Sequence, residues 1–85
     1  MSHEAILHAS QATGIPIEDI TGRNRFPRTC YARFVIMEQL RAKGLSLATI
    51  GRLLNRHHST VLIGLRQAKA LRGTPTFDKI RSSIA

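Results

Sequence analysis

Over residues 46–71 the chain reads S-L-A-T-I-G-R-L-L-N-R-H-H-S-T-V-L-I-G-L-R-Q-A-K-A-L, two stretches of helical apolar period separated by a polar break. In the first, Leu47, Ile50 and Leu53 or Leu54 fall on one face, and Ser46 stands where an N-cap belongs. The break, Asn55-Arg56-His57-His58, is short enough to be a turn. In the second, Ser59 or His58 caps a helix to about Arg72. Val61, Leu62, Leu65 and Ala68 face inward there, and Thr60, Ile63, Arg66, Gln67 and Lys69 face outward. Gly51 and Gly64 each cost ~1 kcal/mol relative to Ala in mid-helix, which predicts close packing against them. Two helices about a short turn form a helix-turn-helix.

The upstream pattern supplies three more helices. Residues 2–13 form the first, with Ser2 as N-cap, Ala5, Ile6, Ala9 and Ala12 recurring at helical spacing, and Gly14 as the stop. Residues 15–20 form a short second helix opened by Pro16, with Ile17 and Ile20 inward and Thr21-Gly22 ending it. Arg28 to Lys43 is the longest, with Cys30, Phe34, Met37 and Leu40 in one stripe beside Tyr31, Val35 and Ile36. Gly44 is its C′ residue. Arg33 interrupts this stripe. A wholly buried, unpaired arginine is too costly, so its stem is expected to pack and its guanidinium to snorkel outward. After a break at Gly73-Thr74-Pro75, residues 76–84 form a last short helix, with Phe77 and Ile80 packing back.

The fold expected is therefore all-α, five to six helices with a helix-turn-helix. The 85 residues support one domain. Its core is expected over about 6–72, with the last short helix in 73–85.

Charge sharpens the functional picture. Thirteen Lys and Arg stand against five Asp and Glu, a net charge of +8. Between Arg23 and Arg72 the only acid is Glu38. Such a field attracts polyanions. The loop Arg23-Asn24-Arg25-Phe26-Pro27-Arg28 is a solvated loop or a phosphate clamp, and a neighbouring helix-turn-helix favours the clamp. No apolar run is long enough to span a bilayer. A single Cys30 leaves no intramolecular disulfide and favours a reducing, cytoplasmic setting on the nucleoid.

Catalysis and cofactors have no visible support. His57 and His58 lack the further ligands of a zinc site. No acid stands between Lys43 and Thr76 to complete a hydrolytic triad. His3 and His8 are five apart and do not share a helix face. No metal, cofactor, small-molecule substrate or membrane is expected, and the chain is not read as an enzyme. Duplex DNA is the partner expected. Small polar residues at the start of a helix let it enter the major groove, Thr60 can meet a thymine methyl, and His57 and His58 can donate to guanine or phosphate.

The same residues carry a family resemblance. The segment from about Ile6 to Leu71 resembles the C-terminal DNA-binding domain of DnaA, the bacterial chromosomal replication initiator. The family's signature, approximately G-R-D-H-[ST]-T-V, appears as Asn55-Arg56-His57-His58-Ser59-Thr60-Val61. Its S-L-x-x-I-G is intact as Ser46-Leu47-Ala48-Thr49-Ile50-Gly51, and its A-R as Ala32-Arg33. The resemblance implies a DnaA domain IV or Trp repressor-like fold. It also implies an arginine at Arg33 reaching the minor groove, and a turn and helix reading the major groove. Arg33, Arg56, His58, Ser59 and Thr60 become contact candidates, joined by His57 and by Arg23, Arg25, Arg28, Arg52 and Arg66 from the charge pattern. His57 replaces the family's Asp, an acceptor for cytosine N4, with a donor. One residue is missing before the signature and another before Gly44. No G-x-x-x-x-G-K-[ST] phosphate loop occurs, so the chain lacks the ATPase domain and is read as a stand-alone DnaA-like protein.

The function expected is double-stranded, sequence-specific DNA binding tied to replication initiation or its regulation. A transcriptional regulator of the same fold, or an interaction module that has lost DNA binding, are the alternatives.

Overall fold

The third helix holds the fold together because it buries residues on several of its faces. In the computed structural model, which describes residues 3–85, this helix, α3, spans Pro27–Ala42. Thr29, Ala32, Arg33, Val35, Ile36, Met37 and Leu40 are buried along it. Among the described residues, the other five helices all pack against α3 and cover those faces. They are α1 (His3–Thr13), α2 (Ile17–Thr21), α4 (Leu47–Leu54), α5 (His58–Leu71) and α6 (Pro75–Ile84). The architecture is all-helical, as the hydrophobic periods predict.

The ends of these helices follow local chemistry. Pro27 and Pro75 sit in the first turns of α3 and α6, where a missing N–H costs nothing. Gly44 takes a left-handed φ of 91° after α3. α1 begins at His3; the expected cap, Ser2, lies outside the described residues. α2 starts at Ile17 instead of Ile15, because Pro16 is its N-cap. That shift moves the inward contact. Ile15 is buried and Ile17 is 41% exposed, the reverse of the expectation for Ile17. Ala12 and Leu62 are also exposed where inward faces were expected. Both lie at the margin of their stripes, where the position of the neighbouring helix decides burial.

α6 closes the bundle against α1 and α3. Phe77, Ile80 and Ile84 form its buried face. The Phe77 ring meets Tyr31 edge to face, with centroids 5.6 Å apart and planes at 84°. The carbonyl of Ile84 lies 2.8 Å from His8 Nε2 and accepts from Gln39 Nε2 at 3.3 Å, which ties the end of α6 to α1 and α3. Glu38, the lone acid of the basic segment, pairs with Arg72 at 2.9 Å. No helix among the described residues is long and apolar enough to cross a membrane.

Candidate nucleic-acid interface

α4 and α5 meet at a turn whose geometry is set by Gly51, Asn55 and Arg56. Ser46 caps α4, accepting from the Thr49 N–H at 3.1 Å. Asn55 ends α4 in the left-handed region, at φ 59° and ψ 44°. Asn tolerates that region better than other residues with a Cβ. The chain then doubles back, and Arg56 N–H donates to the Gly51 carbonyl at 2.7 Å. A Cβ on Gly51 would collide with the Arg56 carbonyl. The glycine serves the turn itself and not a crossing helix. Gly64 has the other kind of reason: its Cβ would meet Met37 and Phe34, so it lets α5 lie close on α3.

α5 begins one or two residues earlier than expected, at His58, and His57 is its N-cap in place of Ser59 or His58. His57 Nδ1 accepts from the Ser59 N–H at 3.2 Å and lies 2.7 Å from Ser59 Oγ. An imidazole accepting at Nδ1 carries its proton on Nε2, so the free nitrogen is a donor. His57 therefore caps α5 through Nδ1 and leaves Nε2 as a donor. The His58 ring lies 4.1 Å from that of His57, tilted by 36°.

Arg33 departs from its expected place. It does not snorkel; it is 5% exposed. Its Nε donates to the Ile20 carbonyl at 2.7 Å, and its Nη2 donates to those of Asp19 at 2.6 Å and Gly22 at 3.2 Å. The C-terminal carbonyls of a helix have no partners of their own. α2 is too short to satisfy many, and Arg33 supplies the missing donors. A fork of donors with no carboxylate is therefore tolerable here. Burial pushes the Arg33 guanidinium below its ordinary pKa, and the charge of Arg56 adds to that; Cys30 and Asp19 oppose it.

Arg56 works on the same knot. It donates to Leu54 at 3.0 Å and Asn55 at 3.3 Å, to Thr21 at 3.4 Å, and to the Gly22 carbonyl. Together the two arginines engage the four successive carbonyls of residues 19–22 and bind α2 to α3 and to the turn.

The remaining candidates are on the surface. Arg23, Arg25, Arg28, Arg52, His57, His58, Ser59, Thr60 and Arg66 are all exposed. Among these arginines, Arg28 donates to the Thr13 carbonyl and Arg52 to Thr49 Oγ1 at 3.3 Å. Arg23, Arg25, Asn55, Arg56 and Thr60 line one open groove, which joins the basic loop to the start of α5. Asn55 was not anticipated as part of this surface. Its signal was an asparagine standing where the signature has its glycine, a residue type that also tolerates a left-handed turn. On the outer face of α5, Leu62 and Ile63 are 39% and 56% exposed, leaving apolar atoms beside Ser59 and Thr60.

Searches of curated proteins and of solved structures found no match to the chain. A family model does match, over residues 4–67, from α1 through most of α5. Its description is the bacterial DnaA protein helix-turn-helix, a DNA-binding unit without catalytic chemistry of its own. The capped α4, the left-handed turn and the exposed start of α5 fall within the matched span, and the chain belongs to this DnaA helix-turn-helix family.

Proposed function

We propose that the domain reads a specific duplex sequence, with the start of α5 in the major groove and the basic loop in the adjacent minor groove, in the service of replication initiation or its control. The observation that carries this reading is the open groove that Arg23 and Arg25 of the basic loop share with Asn55 and Thr60 of the turn and α5, over a floor that includes Phe34 and Met37. His57 Nε2, His58, Ser59 and Thr60 supply the base contacts, and the apolar atoms of Leu62 and Ile63 suit thymine methyls. Arg23, Arg25, Arg28, Arg52 and Arg66 supply phosphate contacts. Arg33 and Arg56 are positioning residues: their donors hold the carbonyls from which the basic loop departs. The minor-groove role that the resemblance gave to Arg33 passes to the basic loop, whose arginines grip the phosphates flanking that groove.

Duplex affinity measured across a salt series tests the reading. About five phosphate contacts correspond to a log–log slope near −4.5, and to a loss of roughly 500-fold between ~50 and ~200 mM salt. A binding constant indifferent to salt overturns it.

His57 tests specificity. His57→Asp retains a capping acceptor and restores acceptor polarity outward, so preference moves at one base pair by ~1–3 kcal/mol, toward cytosine on the contacted strand. Selection from randomised duplexes reports this directly. An unchanged preference places His57 on phosphate or in solvent.

A further inference from the structure

The tip of the basic loop carries an aromatic ring for which phosphate binding has no use. Phe26 is 71% exposed, more than any other exposed large hydrophobic residue among those described. It is also rigidly mounted. Its N–H donates to Asn24 Oδ1 at 2.9 Å, and its carbonyl accepts from the Cys30 N–H at 3.0 Å. Phe26 is the N-cap of α3, in extended backbone at φ −59° and ψ 139°, with Pro27 following. These bonds fix the backbone that carries the ring at the first turn of α3. The surface around it is cationic: Arg23, Arg25 and Arg28 are exposed, and no acid occurs from Ile20 to Met37. An anionic occupant is favoured over a protein surface of mixed charge. Arg25 flanks the ring and also lines the groove that leads to Thr60, so the ring belongs to the same side of the molecule as the start of α5.

An apolar wedge among arginines is the composition that minor-groove proteins use to unstack a base step. We propose that Phe26 is such a wedge: it enters the minor groove beside the α5 contact, parts one base step and bends the duplex away from itself. This rests on the duplex-binding reading above. Flexible TA and CA/TG steps open most readily, so the wedge adds a preference for one of them at a fixed distance from the major-groove contact.

The test compares the full chain with Phe26→Ala and Phe26→Leu on a selected duplex. Affinity is measured together with the bend, from energy transfer between dyes on the duplex ends. The wild-type chain bends the duplex by at least about 20°. Phe26→Ala binds about tenfold more weakly and leaves it straighter, while Phe26→Leu, still an apolar wedge, keeps most of the bend. Thermal melting of both variants stays near wild type, because the ring is exposed. A straight duplex with the wild-type chain overturns the inference, and so does Phe26→Ala binding with unchanged affinity and bend. Loss confined to single-stranded oligonucleotides overturns it in favour of a stacking platform. If the wild-type chain binds no duplex at all, the DNA-binding reading itself fails, a result distinct from the others.

Discussion

Arg33→Ala lowers the unfolding free energy by about 3 kcal/mol, a large share of the stability of so small a domain. Three carbonyls, those of Asp19, Ile20 and Gly22, lose the donors that Arg33 gives them. A buried polar group left unmatched costs about 1–3 kcal/mol, and water entering the emptied space returns part of it. An exposed arginine that only touched DNA would change stability by less than about 0.5 kcal/mol. Urea unfolding separates the two roles: the midpoint falls sharply at an unchanged slope if Arg33 is a clamp. Arg33→Lys recovers only part of the loss, since one ammonium cannot reproduce a planar fork aimed at carbonyls from two directions. DNA binding provides an independent check. In the folded fraction, affinity weakens while the salt slope stays as in wild type, because no phosphate contact has been removed. A lowered slope with full stability would return Arg33 to the role of a groove contact.

Phe77→Ala has a comparable or larger effect, about 3–5 kcal/mol. The ring is fully buried and rests edge to face on Tyr31 of α3. Truncation opens a cavity between α6 and α3, removes the aromatic pair, and loosens the seat of Ile80 and Ile84. For a domain of this size the melting temperature falls by more than about 12 °C. The prediction matters because α6 lies beyond residue 67, outside the span that the family model matches. A large loss makes α6 part of the cooperative unit, while an unchanged melt makes it an appendage. Phe77→Leu falls in between, since it retains most of the apolar volume. Duplex affinity, corrected for the unfolded fraction, stays near wild type for both substitutions, because the proposed contacts lie on α5 and the basic loop.

The helices and most of their ends were legible in the chain because their causes are local. Ser46 caps through a bond to Thr49 three residues on, Pro27 suits a first turn, and Gly44 leaves the helix at positive φ. The signature in the turn was legible for the same reason, and it led to the family that the model match supports. The positively charged surface needed only counting. Arg23, Arg25 and Arg28 are exposed on their loop, as polar side chains next to a proline-started helix tend to be.

The direction of Arg33 was not legible. Its partners stand 11 to 14 residues earlier, and no period along α3 reports where the carbonyls of α2 arrive. The apolar stripe showed that an arginine there was anomalous, and snorkelling was the cheapest local answer. The tertiary answer differs because a short helix brings its unmet acceptors to the same place. Ile17, Ala12 and Leu62 failed in a milder way: helical period defines a face, but the neighbouring helix decides how wide that face is. The turn combined both cases. Its position could be read from residues 55–58 alone. That Gly51 must clear the Arg56 carbonyl, that Asn55 must turn left-handed, and that His57 spends one ring nitrogen on a cap emerged only once the chain had doubled back on itself. Local pattern located the helix-turn-helix; contacts between residues distant in the chain bent Arg33 and Arg56 inward onto the carbonyls of residues 19–22 and left Arg23 and Arg25 exposed.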